Sequence, residues 1–165
     1  MASTGSVATR KMLEFLKEPT NGIAPVLARI AEDSGVDLAG IVPAQIVAQN
    51  TPIGINERSH SVQYPSVHIY VDRIKNTLSE KFRRFSGKVR TIAEVRVSDD
   101  RIDQIEDRVR LYVEAVTSIL DANRGGWGEG AFYAGGYEVV FEPVRHGGRN
   151  FLQVAKVTFE IDMSI

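Results

Sequence analysis

The sequence contains no cysteine. Disulfide bonds, thiol nucleophiles and zinc–thiolate sites are therefore excluded, and the composition fits a reducing compartment. The sequence also lacks an excess of either charge, because 20 Lys and Arg residues stand against 21 Asp and Glu residues. A net charge of −1 gives no global reason to expect DNA wrapping or attraction to an anionic membrane.

Long hydrophobic runs are also missing. No apolar stretch reaches the length of a membrane span, and the opening MASTGSVATRKM lacks the apolar stretch of a secretory signal, so we expect no membrane partner. This small and polar start predicts a flexible arm over residues 1–10. The remaining composition, 43% hydrophobic and 25% charged residues, is that of a globular protein. We predict a single domain over residues 1–165.

Helical periodicity is present in three segments. RKMLEFLKEP and IAPVLARIAEDSG predict two short N-terminal helices, ended by Pro19 and by Gly35. The third segment is the strongest signal in the chain. After the candidate N-caps of SDD, apolar residues recur at gaps of three and four, which predicts a long amphipathic helix over about residues 100–124. Gly125 follows as a natural helix stop.

Alternation of apolar and polar residues predicts the strands. SVHIYVD and KVRTIAEVRV flank a loop over residues 72–88, and GGYEVVFEPVR and RNFLQVAKVTFEIDMSI form a hairpin around HGG. Pro43 restricts GIVPAQIVAQN to an edge or a strand start, and residues 48–65 are predicted to form a long loop. The expected fold is α+β, a mostly antiparallel sheet of about four strands with the long helix and the shorter N-terminal helices packed on one face.

The segment ANRGGWGEG raises the question of a phosphate-binding loop. Such loops open a helix, where free N–H groups and the positive end of the dipole face the ligand. This one follows a helix and lacks the Lys-Ser/Thr pair, so we reject a phosphate site. The aromatic residues in the loop at 124–136 are either tucked under the sheet or offered to a neighbour; they are Trp127, Phe132 and Tyr133.

The motif KFRRF interleaves basic and aromatic residues in the loop between the first two predicted strands. This composition suits a nucleic-acid-binding surface and equally the centre of a protein interface. The near-neutral net charge favours the interface. The candidate subunit or partner interface therefore comprises Arg83, Arg84, Phe85, Trp127, Phe132 and Tyr133.

Catalytic signatures are absent from the sequence. It has three histidines, of which His60 and His146 fall in loops, and neither an H-E-x-x-H nor a G-x-S-x-G motif. We predict no enzyme activity, no catalytic residue, no metal and no cofactor. The acidic start of the long helix lacks a nearby histidine and is interpreted as a solvated end favoured by the helix dipole; it comprises Asp99, Asp103, Glu106 and Asp107.

A rival hypothesis is a small enzyme or ligand-binding domain that uses the polar face of the strands. It would rest on His68, Tyr70 and Glu94. A deep pocket that joins a carboxylate to His68 with shifted pKa values supports it, whereas a flat and solvated arrangement counts against it.

The order of the predicted elements from residue 66 onward is strand, loop, strand, long helix, Gly-rich loop and C-terminal hairpin. Preceded by a short helical N-terminus, this order resembles the tail terminator (tail completion) proteins of tailed bacteriophages. The resemblance covers about two-thirds of the chain, in YPSVHIYV, KVRTIAEVRVSDDRIDQIEDRVRLYVEAVTSILDAN and GGYEVVFEPVRHGGRNFLQVAKVTFEI. The segment IVPAQIVAQNTPIGINERSHSVQYP departs from the family pattern.

The resemblance implies a small α+β structural protein without catalytic residues. Subunits of that family form a ring, usually a hexamer, that caps the tail tube, ends its polymerisation and joins the tail to the head connector. Tube and sheath subunits and connector proteins are then the partners, and DNA only passes through the lumen. The implied location is the virion tail or neck, with assembly in the host cytoplasm. A head-completion (stopper) or baseplate assembly protein is the alternative.

The lumen of such a ring should be neutral to acidic, because each neutralised phosphate adds salt-dependent affinity for DNA. Two acidic sets are candidates. One is the start of the long helix, with Asp99, Asp103 and Asp107. The other lies on the C-terminal hairpin, and we favour it; it comprises Glu138, Glu142, Glu160 and Asp162.

Overall fold

The computed structural model describes residues 3–53 and 63–165. Three α-helices lie wholly within these residues: α1 Thr4–Lys17, α2 Ile23–Ser34 and α3 Ile102–Ala122. A 3-10 turn occupies Pro43–Gln45. The strands are β1 Ile46–Val47, β2 Ser66–Asn76, β3 Ser86–Asp99, β4 Gly125–Gly128, β5 Ala131–Tyr133, β6 Glu138–Phe141, β7 Arg145–Gly147 and β8 Asn150–Ser164.

The first helix begins earlier than its apolar pattern indicates. The hydroxyl of Ser3 accepts a hydrogen bond from the Ser6 N–H at 3.3 Å, and Val7 and Ala8 are buried. The prediction of a flexible arm over residues 1–10 is therefore wrong from residue 4, while residues 1–2 lie outside the described part of the chain. A serine N-cap compensates for the weak apolar signal there, because it satisfies a free N–H of the first turn.

The other two helices follow their predicted spans closely. Gly35 ends α2 with φ +70°, the left-handed conformation expected of a glycine stop. The long helix α3 ends at Ala122, and the side-chain amide of its C-cap residue Asn123 donates to the Ile119 carbonyl at 2.7 Å. Gly125 therefore does not stop the helix as predicted but opens β4.

Helices α1 and α3 pack on one face of a single mixed sheet and α2 packs against α3, so the α+β class is confirmed. The prediction of about four strands is too low, because eight strands lie within the described residues. β8 is the hub of this sheet. It pairs with β3 along residues 151–164, and its other side pairs in turn with β7, β6 and β5. β4 extends β5, β2 pairs antiparallel with β3, and β1 adds two parallel residues beside β2.

The predicted loops shrink because strands extend into them. β2 and β3 form a long hairpin, so the loop predicted over residues 72–88 covers only residues 77–85. Gly87 permits this close pairing, since a Cβ there would lie 1.9 Å from the Lys75 carbonyl oxygen. The loop at 124–136 is mostly the β4–β5 hairpin. Of the predicted loop 48–65, residues 54–62 lie outside the described residues.

The sheet has a core face under the helices and an outer face. At one end the outer face is also covered, because Ile53 packs with Leu152 and Val154 and half-buried Tyr64 lies against them. The predicted outward side chains of Glu94 and Arg96 are therefore buried. Pattern alone does not anticipate this, since the covering residues lie about forty positions away in sequence.

Candidate functional site

Buried polar side chains form a connected cluster on the covered end of the outer face. The Tyr70 hydroxyl donates to Glu94 Oε2 at 2.7 Å, and Arg96 Nε donates to Glu94 Oε1 at 2.8 Å. Arg96 Nη2 also donates to the Thr51 carbonyl at 2.6 Å, so the guanidinium fastens residue 51 to the sheet. His68 lies opposite Glu94 in the β2–β3 register. The three residues of the rival hypothesis are thus brought together.

The electrostatics of this cluster follow from its burial. Burial lowers the pKa of His68 to about 4, and the nearby Arg96 cation adds to this shift. Burial and the hydrogen bond to Glu94 raise the pKa of the Tyr70 hydroxyl. Both groups are therefore neutral at pH 7. Because Tyr70 and Arg96 occupy both oxygens of Glu94, that carboxylate is held as part of the structure and is not presented as a base.

We expect the His68 side chain to make the protein less stable in mild acid. Its folded-state pKa of about 4 lies below the ordinary value of 6.5, so the unfolded chain binds the proton more readily. The stability that depends on His68 being neutral is fully present above pH 6.5 and is lost as the pH falls toward 4. Between pH 7 and pH 5 the free energy of unfolding should drop by about 1–2 kcal/mol.

Urea denaturation at each pH measures this loss, with His68→Gln as the reference because glutamine does not titrate. The variant should show a shallower fall between pH 7 and pH 5. Parallel curves for the two proteins would rule out the assignment to His68.

Two of the three aromatic side chains in the Gly-rich segment lie in the core. Tyr133 and Trp127 pack on each other and on Phe159. The indole N–H of Trp127 donates to the Asn123 carbonyl at 2.7 Å. Trp127 and Tyr133 are therefore tucked under the sheet and have no surface to offer a neighbour, so their placement in an interface is wrong. Phe132 is half exposed on the outer face.

The loop over residues 77–85 presents exposed apolar side chains at the tip of the β2–β3 hairpin. Phe82 is completely exposed, Leu78 is more than half exposed and Ile74, at the end of β2, is half exposed. We call these three residues the tip surface. Of the residues predicted here, Arg83 and Arg84 are exposed, whereas Phe85 is buried, so its placement in the interface is wrong. The motif KFRRF contains both phenylalanines, and only the strand boundary at Ser86 decides which of them faces solvent.

A second exposed apolar region lies on β6. This strand pairs with β8 on one side, and no strand lies on its other side within the described residues. Tyr137, Val140 and Phe141 are each between two-fifths and one-half exposed, and we call them the edge surface. Phe141 lies opposite buried Ala155 and so is on the core face of the sheet, but Pro143 separates β6 from β7 and only four residues pair there, which leaves its ring partly exposed.

The acidic residues predicted to face a lumen lie on the outer face of the sheet. Lys88 Nζ lies 3.2 Å from Glu160 and 3.4 Å from Asp162, and Lys156 Nζ lies 3.1 Å from Glu142. The glutamate at position 138 faces the same way from β6. The face is therefore closer to neutral than its carboxylates alone suggest.

The alternative acidic set, at the start of α3, divides into two parts. Asp99 is buried, pairs with Arg108 and accepts the Arg101 N–H at 2.9 Å. Asp103 and Asp107 are exposed, as the interpretation of a solvated helix end expects. Within residues 3–53 and 63–165, no group of three or more His, Asp or Glu side chains is arranged to hold a metal ion.

None of the helices in the described ranges is long and apolar enough to cross a membrane. Compared with known proteins, the chain matches no protein-family model and no curated sequence.

Proposed function

We propose that this chain is a structural protein of a tailed bacteriophage that forms a hexameric ring at the end of the tail tube. The ring stops polymerisation of the tube and joins the tail to the head connector. Its partners are tube and sheath subunits, connector proteins and further copies of the chain. The order of elements that carries the resemblance, with the long helix lying across the central strands, supports this proposal.

The observation that carries the proposal is that one subunit exposes two different apolar surfaces. The tip surface lies at the end of the β2–β3 hairpin, and the edge surface lies on β6 at the far side of β8. Exposed apolar groups rimmed by charge mark protein–protein contacts. A closed ring needs two unlike patches on every subunit, because its contacts run head to tail.

In this ring the outer face of the sheet lines the channel. The acidic set is balanced by basic residues of the same face, which are Lys88, Lys156 and the cross-strand neighbours Arg73, Lys75 and Arg90, so the face offers DNA a surface close to neutral. DNA then passes without being held, since few phosphates lose their counterions. A ring image in which the channel is lined mainly by arginines contradicts this placement; the arginines concerned are Arg83, Arg84, Arg145 and Arg149.

Light scattering tests the assembly directly. We expect a particle of about six 18.2-kDa subunits, and electron microscopy should show a ring with a central hole. Added to polymerising tube subunits from the same virus, the protein should shorten the tubes. A strict monomer at all concentrations, together with tubes of unchanged length, would refute the proposal.

A head-completion or baseplate role is the alternative within the same class, because these roles reuse similar small α+β domains. The binding partner separates them. A terminator binds the end of the tube, whereas a stopper binds the isolated head connector. The gene of a terminator should also lie between the head-joining genes and the tube genes.

A further inference from the structure

We propose that the tip surface of one subunit packs against the edge surface of the next subunit in the ring. Leu78 and Phe82 then lie along the free side of β6 in the neighbouring copy, where Val140 points to the outer face and Phe141 to the core face of the sheet. This inference rests on the proposed function, because it places a second copy of the chain on both surfaces.

The tip is held in one conformation before any partner binds. The side-chain oxygen of Asn76 accepts the N–H groups of Leu78 at 3.2 Å and Ser86 at 3.1 Å. The Phe85 main chain exchanges two hydrogen bonds of 2.9 Å with Ile165. A loop fixed in this way loses little conformational entropy on binding, which favours its use as a preformed contact.

The backbone of the tip is strained where its apolar side chains are exposed. Leu78 has φ +47° and Phe82 has φ +64°, a region that bulky residues rarely adopt. Strain of this kind marks functional positions when the surrounding structure maintains it. Phe82 is completely exposed, so packing within its own subunit does not account for a phenylalanine at this position.

The two surfaces carry opposite charge. Residues 72–85 contain five basic and two acidic residues, whereas residues 134–144 contain two acidic residues and no basic one. Both acidic groups of the tip are engaged, Asp72 by Arg90 and Glu80 by Arg83. At the edge, Glu142 is engaged by Lys156 at 3.1 Å, whereas Glu138 forms no ion pair within 4 Å in the described parts of the chain. The basic tip is therefore attracted to the one unpaired carboxylate beside the edge surface, which favours a head-to-tail contact between two copies.

Both surfaces also border open strand edges. β1 pairs with β2 only at Val67 and His68, so the rest of the outer edge of β2 has no strand beside it among the residues described. The free side of β6 is equally unpaired there. Open edges offer main-chain donors and acceptors to a second chain, so hydrogen bonds can add to the apolar contact.

A second copy fits the tip better than a nucleic acid does. Two of its three apolar side chains, Leu78 and Ile74, are aliphatic and offer no ring to stack on a base, so Phe82 alone offers one. An exposed apolar edge that can cover the tip is present on the same chain.

Engineered disulfides test the contact, because the chain has no cysteine of its own. The double variant Phe82→Cys with Val140→Cys should form, on mild oxidation, a ladder of covalent oligomers on a non-reducing gel. An equal mixture of the two single variants should form covalent dimers only. Val140 pairs with Lys156, and Phe85 with Ile165, so the two sites lie roughly 25–30 Å apart along β8. A disulfide within one chain is excluded at that separation.

The matched control is Val42→Cys with Val140→Cys, since Val42 is also about half exposed but lies away from the tip. It should give no ladder. Native tryptophan emission checks the fold of every variant, because Trp127 is the only tryptophan and is buried.

Each other result overturns the inference. A ring seen by light scattering with no ladder from the tip–edge pair means that another surface joins the subunits, and the proposed function then stands. Covalent dimers of Phe82→Cys alone indicate a symmetric contact. A monomer in every assay rejects the inference and the ring together. If duplex DNA binds the wild-type chain, and Lys81→Glu with Arg84→Glu abolishes that binding while assembly is unchanged, then the tip is a nucleic-acid surface.

Discussion

We expect the variant Glu94→Ala to lower the free energy of unfolding by about 3–5 kcal/mol. The side chains of Glu94 and Arg96 are only 8% and 2% exposed, and Nε of the arginine lies 2.8 Å from the carboxylate. Removing the carboxylate leaves a buried cation without its partner and the Tyr70 hydroxyl without its acceptor. Guanidinium denaturation followed by tryptophan emission measures the change.

The exposed pair between Lys88 and Glu160 provides the control, because both side chains are about half exposed. Glu160→Ala should cost less than about 1 kcal/mol. Replacing both buried partners, Glu94→Leu with Arg96→Met, should recover most of the loss, since no unpaired charge then remains. Equal losses in Glu94→Ala and Glu160→Ala would show that the buried cluster is not the source of stability we assign to it.

The variant Trp127→Ala should lose about 3–5 kcal/mol of stability. The ring of Trp127 lies 5.0 Å from that of Phe15, 5.6 Å from that of Tyr133 and 6.2 Å from that of Phe159. Deleting it opens a cavity that joins α1, the β4–β5 hairpin and β8, and it also leaves the Asn123 carbonyl without the indole donor. Thermal unfolding by circular dichroism reports the loss, because this variant has no tryptophan emission.

Phe132→Ala is the matched control, since this aromatic residue lies on the same hairpin and is half exposed. Its cost should stay below about 1 kcal/mol. Comparable losses for the two variants would contradict the assignment of Trp127 to the core and Phe132 to the surface.

The long helix and the long strands could be predicted from the sequence because the apolar periodicity of each one repeats many times. The apolar stripe of α3 and the alternation in β2, β3 and β8 are local signals that survive small errors at either end. The acidic and aromatic residues on these elements were accordingly placed on the correct side of the sheet, with Tyr70 and Glu94 opposite the apolar face.

The short strands could not be predicted in the same way. β5 and β7 each have three residues, and β4 is GGWG, so none has an alternation long enough to detect. β5 is a strand because β8, about thirty residues away in sequence, offers it an edge; β4 pairs with β5 in turn, and β7 folds back on the start of β8. This pairing depends on the tertiary fold, and it outweighs the local preference of glycine for turns.

Which side chains are exposed depends on where each strand begins and ends. The alternation of apolar and polar residues predicts these end points least well. The choice between Phe82 and Phe85 turns on where β3 begins, and the burial of Arg96 turns on residue 51 crossing the outer face. The β4–β5 hairpin likewise places Trp127 inside and Phe132 outside, although five positions separate them.

The central place of β8 has a consequence for how the chain folds during synthesis. Of the eight strands in the described residues, β8 is made last, yet it forms one wall of the core and joins β3 to four of the other strands directly or through β5. Before β8 is made, the helices and the β2–β3 and β4–β5 hairpins can form, and β3 has a 14-residue edge without a partner. Such an edge invites pairing with the wrong chain. The nascent chain is therefore exposed to wrong pairing until the 15-residue strand β8 has emerged, and only then can β5, β6 and β7 join the sheet.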